Sequence, residues 1–146
     1  MSQTRMRRGA ERRGFTLIEL LIVIVIIGIL AAVAMPKLSI ARERAQFASL
    51  KSALHSIATQ QEIYYNRNSH YTSSLAELEF DPGNGVNVGT PTLDGGADGQ
   101  QGWMVTATHD ALPVGVGCVI YEGRFAGPVT AVGTTANRPG IPSCSE

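Results

Sequence analysis

The sequence has few of the residues that carry chemistry in proteins. Its three histidines, His55, His70 and His109, are scattered along the chain, and there are only two cysteines. Metal-ligand spacing, a nucleophile elbow and a phosphate-binding loop are all absent. The sequence therefore shows no catalytic constellation, and we expect a protein that is not an enzyme and that uses no cofactor or metal.

Net charge is also absent, because 12 Lys and Arg residues balance 12 Asp and Glu residues. The balance hides two opposite parts. Residues 1–14 hold five arginines and one acid, for +4, whereas residues 15–146 hold 7 bases and 11 acids, for −4. An uninterrupted apolar run begins where the basic part ends. Residues spent on a membrane are not available to a globular core, which disfavours an ordinary small soluble enzyme.

The apolar run extends from Phe15 to Met35, and Glu19 is the only charged residue among its 21 residues. As a helix it would measure about 30 Å, which is the hydrocarbon thickness of a bilayer. From Leu20 to Met35 it has no polar face, unlike a helix at the surface of a soluble core. We expect it to enter the membrane with the arginine-rich N-terminus in the cytoplasm and the remainder outside.

Three kinds of membrane segment are compatible with this run. A secretory signal peptide is supported by the A-x-A site Ala32-Val33-Ala34, although the run is longer than the roughly 7 to 15 residues typical of such a core. A permanent anchor is the second. Neither explains Glu19, since a carboxylate in an apolar helix costs about 2.5–3.5 kcal/mol at mid-bilayer. The third is a segment in which Glu19 has a positive partner at the same depth, such as the free amino group that cleavage just before Phe15 would make. Without such a partner, Glu19 reaches the headgroups, is protonated, or bonds to free N–H groups of its own first turn.

The residues Arg12-Arg13-Gly14-Phe15-Thr16-Leu17-Ile18-Glu19, followed by LLIVIVIIGILAAVAMP, combine a basic leader, a Gly-Phe junction, an acid at fixed spacing and a retained apolar helix. This segment resembles the class III leader and N-terminal helix of type IV pilins and their pseudopilin relatives. The resemblance covers residues 12–36 and is one of layout beyond Pro36. It implies that a prepilin peptidase cuts between Gly14 and Phe15 and methylates the new amino group of Phe15.

The resemblance also implies roles in assembly for Glu19, Gly28 and Pro36. Glu19 of one subunit would pair with the Phe15 amine of its neighbour, so that the acid is unpaired in the membrane and paired in the filament. Gly28 and Pro36 weaken the helix, and we expect a kink or local melting between them, or a bend at the membrane surface. The resemblance adds that this stretch unwinds inside the filament and makes it extensible.

Residues 37–65 predict an amphipathic continuation of the same helix, to a total of about 50 residues and roughly 75 Å. The apolar residues at helical spacing are Ile40, Phe47, Leu50, Leu54, Ile57 and Tyr64. The basic residues are Lys37, Arg42, Arg44 and Lys51. They are compatible with a DNA-binding patch, but the negative net charge of residues 15–146 disfavours nucleic acid as a direct ligand. A solvated face, or a contact with lipid or other subunits, is the preferred interpretation.

Residues 66–146 predict a globular part, and with it an α+β fold in which the second half of the helix packs on a small antiparallel sheet of three or four strands. The predicted elements are a turn at Asn66–Tyr71, a capping box at Ser74–Glu77 that starts a short helix through Leu78, a Gly/Pro-rich loop at residues 81–102 with one strand, and strands Trp103–His109, Gly117–Glu122 and Val129–Val132. Asp94 and Asp98 in the loop hint at calcium, but an oxygen cage needs more acids at alternate positions.

Cys118 lies in a predicted strand and Cys144 lies close to the end of the sequence. In a domain outside the cytoplasm, two cysteines most simply form one disulfide, which would hold the Gly/Pro-rich tail against the sheet. Many type IV pilins close a C-terminal loop in this way, so the resemblance agrees. Free thiols and an intersubunit bond are the alternatives.

These observations divide the chain into a cleaved basic leader (1–14), a transmembrane and filament-core helix (15–36), its amphipathic continuation (37–65) and a globular part with a disulfide-closed C-terminal loop (66–146). The resemblance implies a structural pilin that waits in the bacterial inner membrane and polymerises into an extracellular filament for adhesion, motility or DNA uptake. Its expected partners are other pilin subunits, the prepilin peptidase, the inner-membrane assembly machinery and membrane lipid. The alternatives are a pseudopilin of a type II secretion system and, from another class, a membrane-anchored sensor or ligand-binding protein.

Overall fold

The computed structural model describes residues 14–94, 102–123, 125 and 129–145. Contacts divide the chain into two compact units, one up to Ser39 and the other from Ile40 onwards. A single α-helix, α1, runs from Leu17 to Asn68 and contributes to both units. The described strands all lie in the second unit, which confirms the predicted α+β class.

Helix α1 has 52 residues and is unbroken across Gly28 and Pro36. The local melting predicted between these residues is absent from the helix as described here, and unwinding in a filament stays a prediction. The helix continues three residues beyond the predicted end at Tyr65. It stops at Ser69, whose φ of 61° is left-handed and whose amide donates to the Tyr65 carbonyl at 2.8 Å.

One stripe of α1 packs against the rest of the second unit. Its buried residues are Phe47, Leu50, Ala53, Leu54, Ile57 and Gln61. They recur at the spacing of one helix face, as the sequence predicts from Phe47 to Ile57. The two ends of the predicted stripe differ, because Tyr64 is only half-buried and Ile40 is 51% exposed. Burial of the stripe therefore begins at Phe47.

Within the described residues seven strands follow the helix, more than the three or four that the sequence predicts. They are β1 (Val86–Val88), β2 (Thr92–Leu93), β3 (Gly102–His109), β4 (Gly117–Gly123), β5 (Val129–Ala131), β6 (Thr134–Ala136) and β7 (Ser143–Cys144). A five-stranded antiparallel sheet has the order β1-β3-β4-β7, with β2 pairing the same strand β3 as β1 does. Strands β5 and β6 form a separate hairpin. The predicted antiparallel sheet is thus present and is larger than expected.

Strand β4 lies at the centre of the domain because both of its faces are covered. Cys118 and Ile120 belong to the core cluster that includes the buried helix stripe. Val119 and Tyr121 alternate with them and pack on the opposite face against the β5–β6 hairpin. All five residues from Gly117 to Tyr121 are buried. The sheet is therefore a layer between α1 and the hairpin.

The prediction of a capping box at Ser74–Glu77 is wrong. A single turn of 3-10 helix spans Leu75–Glu77, and within the described chain the Ser74 side chain makes no capping hydrogen bond. Thr72 supplies the bonds instead. Its Oγ1 accepts from the Ser74 amide at 3.0 Å and donates to Glu77 Oε2 at 2.5 Å. The Thr72 hydroxyl, which lies outside the expected motif, therefore bonds the two groups that a capping box would have joined, the Ser74 amide and the Glu77 carboxylate.

Gln61 connects the helix to the segment that follows it. The side chain is fully buried, its Nε2 donates to the Thr72 carbonyl at 2.6 Å and its Oε1 accepts from the Thr72 amide at 3.1 Å. Thr72 is itself buried at 7% exposure, so its backbone groups depend on this side chain. The Gln61 amide thus makes the two backbone hydrogen bonds that a neighbouring strand would otherwise make to Thr72, close to where the chain leaves the helix.

We predict that Gln61→Leu lowers the free energy of unfolding by about 2–4 kcal/mol, because the substitution leaves two buried backbone groups of Thr72 without partners. Denaturant unfolding of the detergent-solubilised chain measures the change. The matched control is Gln60→Leu, since the Gln60 side chain is half-buried and makes no hydrogen bond within the described residues. Its expected effect on the free energy of unfolding is within about 0.5 kcal/mol. Equal effects of the two substitutions would contradict this role of Gln61.

Candidate functional site

The candidate site is the first part of α1, which has no cover within its own unit. Every large hydrophobic residue from Leu17 to Leu30 is exposed, with fractions between 46% and 83%. Among the described residues, one helix is long and apolar enough to cross a membrane by length and composition, and none of its most apolar stretch is buried. No described residue covers this part of the helix, and lipid or other apolar protein surfaces are the surroundings that suit it.

A capping box begins α1, at a place where the sequence analysis did not predict one. The Glu19 carboxylate oxygen Oε2 accepts from the Thr16 amide and from Thr16 Oγ1, both at 2.9 Å. In return, Thr16 Oγ1 accepts from the Glu19 amide at 3.3 Å. The spacing T-x-x-E was the signal that could have identified it. Glu19 therefore has hydrogen-bond partners in the first turn of its own helix, which is one of the alternatives stated above, and its ion pair in a filament stays a prediction.

Both partners of Glu19 are neutral donors from one residue, Thr16. No cation pairs with the carboxylate among the residues that the structure describes. Gly14 and Phe15, which form the predicted cleavage junction, lie just before this turn, and Phe15 is 83% exposed. The carboxylate is thus accessible at the beginning of the helix, about one turn from the Phe15 backbone nitrogen.

Gly28 and Pro36 lie two turns apart on α1. A Cβ placed on Gly28 would meet nothing within 4 Å, so no neighbour in the described chain requires glycine there. Beyond Pro36, the Ser39 hydroxyl donates to the Pro36 carbonyl at 2.9 Å. The carbonyl that loses its donor at the proline is that of Ala32, four residues earlier, so this bond does not replace the missing one.

The two cysteines form the predicted disulfide. Cys118 of β4 and Cys144 of β7 are directly opposite one another in the antiparallel pair, with their Cα atoms 4.0 Å apart. Free thiols are excluded, and the bond lies within one chain. Next to it, the Gly117 amide donates to Ser145 Oγ at 3.0 Å. The predicted attachment of the tail to the sheet is confirmed.

The calcium hint at Asp94 and Asp98 receives no support from the part of the chain that the structure describes. No group of three or more His, Cys, Asp or Glu residues gathers there in a way that suits a metal ion. Asp98 lies outside the described residues, so the loop as a whole is not assessed. Of the predicted basic cluster, Lys37, Arg42 and Arg44 are exposed, whereas Lys51 is half-buried.

An exposed apolar helix that begins with a capped acid, joined to a small disulfide-closed α+β domain, defines the class of protein. Residues 10–35 match the family model of the prokaryotic N-terminal methylation motif. This motif and the relatives described next make the chain similar to type IV pilins and to type II secretion system proteins.

The relatives include pilins and secretion-system proteins. The chain is 52% identical over 66 residues to the type IV wide pilus major component PilA4 of Thermus thermophilus, covering 45% of this chain and 50% of the relative. It is 37% identical over 83 residues to the type IV major pilin protein PilA of Myxococcus xanthus, covering 57% and 38%. It is also 36% identical over 74 residues to the type II secretion system core protein G of Escherichia coli, covering 51% of each. The chain thus spans about half the length of these relatives or less.

We predict that removing the disulfide by Cys118→Ala together with Cys144→Ala lowers the free energy of unfolding by about 3–4 kcal/mol, because the bond closes a loop with a sequence separation of 26. Denaturant unfolding with and without dithiothreitol measures the loss. The reductant should destabilise the unsubstituted protein by a similar amount and leave the double variant unchanged. A loss below about 1 kcal/mol would show that the bond adds little to the stability of the folded domain.

Proposed function

We propose that this protein is a structural subunit of a bacterial type IV pilus, a pilin that polymerises through its N-terminal helix into a surface filament. The observation that carries the proposal is the uncovered apolar face of α1 directly after a methylation motif at residues 10–35. An apolar helix of this length is stable in a bilayer or in a bundle of identical helices. Membrane insertion, maturation and filament assembly then use the same segment in turn.

In this proposal the prepilin peptidase cuts between Gly14 and Phe15 on the cytoplasmic side and methylates the Phe15 amine. Cleavage removes residues 1–14 and their net charge of +4, which had held the N-terminus on the cytoplasmic side. It also places a cation within one turn of Glu19. Before assembly the subunit crosses the inner membrane once, and after assembly it lies in an extracellular filament. The inner-membrane assembly machinery acts between these two states.

Glu19 has a second role in the proposal, in axial register. Its hydrogen bonds to Thr16 are made by neutral donors and leave the carboxylate charged, so a methylated Phe15 amine of a neighbouring subunit can still approach it. A charge pair in an apolar bundle is worth more than a hydrogen bond to a neutral donor. The local cap thus keeps the acid satisfied in the helix until the neighbour arrives. Gly28 and Pro36 are the proposed point of unwinding in the filament.

A pseudopilin of a type II secretion system is the second candidate, because the relatives include core protein G. The higher identity to a pilus component and the Cys118–Cys144 bond support the pilin. Mechanical shearing of cells separates the two, since long surface filaments release subunits into the supernatant. Recovery only in the cell envelope would favour the pseudopilin.

We predict that the mature chain recovered from sheared filaments begins at N-methyl-Phe15, as intact-mass analysis would show. Gly14→Ile should block cleavage, because the peptidase must accommodate the residue before the cut bond, whereas Gly9→Ile within the same leader should leave cleavage unchanged. A chain that starts at Met35 would indicate an ordinary secreted protein. A chain that starts at Met1 or Ser2 would indicate an uncleaved anchor, and both results would contradict the proposal.

We predict that Glu19→Gln spares cleavage but lowers filament yield at least tenfold, because the amide retains the capping geometry and loses the charge. The matched control is Thr16→Ala, which removes the cap and retains the acid. Its expected cost is about 1 kcal/mol in helix stability with filaments still formed. Quantitative immunoblots of sheared filaments and of membranes measure both. Loss of filaments in Thr16→Ala but not in Glu19→Gln would show that the cap, not the charge, is required.

A further inference from the structure

Two depressions on the second unit carry charged side chains that form no ion pair within the described chain. The first, called here the helix groove, is lined by Ile40, Glu43, Arg44 and Phe47. These positions share one face of α1 at the i, i+3, i+4, i+7 spacing. The groove therefore continues the buried stripe past Phe47, towards Ile40, which is 51% exposed.

The second depression, called here the acidic cleft, lies where the end of α1 meets the turn that follows it. It is lined by Gln60, Ile63, Tyr64, Arg67, Glu77 and Glu79. Ile63 is 38% exposed, and Arg67, Glu77 and Glu79 are all exposed. The cleft thus combines one exposed apolar residue with two acids and one base.

One of the two acids of the cleft, Glu77, is held in place. Glu77 accepts from Thr72 Oγ1, and this bond, together with one from Tyr64, holds the pKa of the Glu77 carboxyl below its ordinary value. The extended segment after Glu77 alternates, with Leu78 buried and Glu79 exposed. The Glu77 carboxylate is therefore fixed by its hydrogen bonds, beside the exposed side chain of Glu79.

The two depressions are complementary in charge and in apolar surface. Arg44 of the groove matches the acids Glu77 and Glu79 of the cleft, and Glu43 matches Arg67. An exposed isoleucine lies in each, Ile40 in the groove and Ile63 in the cleft. Both surfaces therefore present charges of each sign beside an apolar side chain.

The two depressions cannot meet within one chain. Twenty helical residues separate Arg44 from Tyr64, which places the groove and the cleft about 30 Å apart along α1. A second, parallel copy displaced by about 30 Å along the helix axis brings its cleft level with the groove of the first. Membrane insertion in one orientation makes the copies parallel, so this displacement is geometrically available.

We propose that the helix groove binds the acidic cleft of a second copy of this chain, with Arg44 paired to Glu79 or Glu77 and Glu43 paired to Arg67. This inference rests on the proposed function for its parallel copies. It adds an interface that is distinct from the register of Glu19 with the Phe15 amine, since those two groups are one turn apart and the new interface needs a displacement of about 30 Å. The filament is then held by charge pairs on the solvent side as well as by its apolar core.

Charge exchange tests the pairing in full-length protein. Arg44→Glu and Glu79→Arg should each lower filament yield, by up to about fivefold for each broken charge pair. The double variant Arg44→Glu with Glu79→Arg should restore the yield. Arg138→Glu is the matched control, because Arg138 is exposed, lies outside both depressions and undergoes the same change of charge. Membrane levels of each subunit, oxidised at Cys118–Cys144, report correct folding before assembly.

Zero-length crosslinking gives a second measurement, which does not depend on filaments. With Arg44→Lys, carbodiimide should join the new amine to Glu77 or Glu79 of another copy, in filaments and in membranes, and Glu79→Gln should reduce the product. Arg138→Lys should give no such crosslink. Crosslinks in membranes without filaments would support the interface and contradict the pilus proposal. Filaments without crosslinks and without rescue by the double variant would overturn the interface and leave the pilus proposal standing.

Discussion

Burial of one face of α1 between Phe47 and Gln61 is the constraint on which the domain depends. A helix of this length has an apolar face along much of it, and only this part is covered by the chain's own sheet. The core residues Trp103, Val105 and Ile120 lie on the sheet side of the same cluster, all at 0–1% exposure. The exposed part of the helix has no such cover from the described residues, so its stability depends on lipid or on other protein chains around it. One continuous helix thus has to be stable in two environments, against the sheet of its own domain and in an apolar surrounding.

The sequence predicts best the elements whose pattern is local and strong. The helix follows from its apolar periodicity, and strands β3 and β4 follow from their β-branched and aromatic residues. The short strands β1, β2, β6 and β7 have two or three residues each and lie in Gly- and Pro-rich sequence. Strands β1, β2 and β7 add hydrogen bonds to β3 or β4, and β6 pairs with β5. This tertiary cause leaves no periodic signal in the sequence.

The two T/S-x-x-E segments show why a motif alone was insufficient at the candidate site. At Thr16–Glu19 the helix has no other polar side chains near its first turn, so the box forms. At Ser74–Glu77 the hydroxyl of Thr72 competes successfully for both partners. Gln61, the residue that fixes Thr72, was not identified from the sequence, because its partners are backbone groups 11 residues away. The disulfide was predictable because the chain has only two cysteines.

The bond between Cys118 and Cys144 makes a covalent ring out of β4, the β5–β6 hairpin and β7. A protease that cuts one peptide bond inside this ring leaves both new ends attached to the same subunit. The severed piece also stays in place by packing, since Val119 and Tyr121 are buried beneath the hairpin. A single nick inside the ring therefore releases no fragment from the subunit.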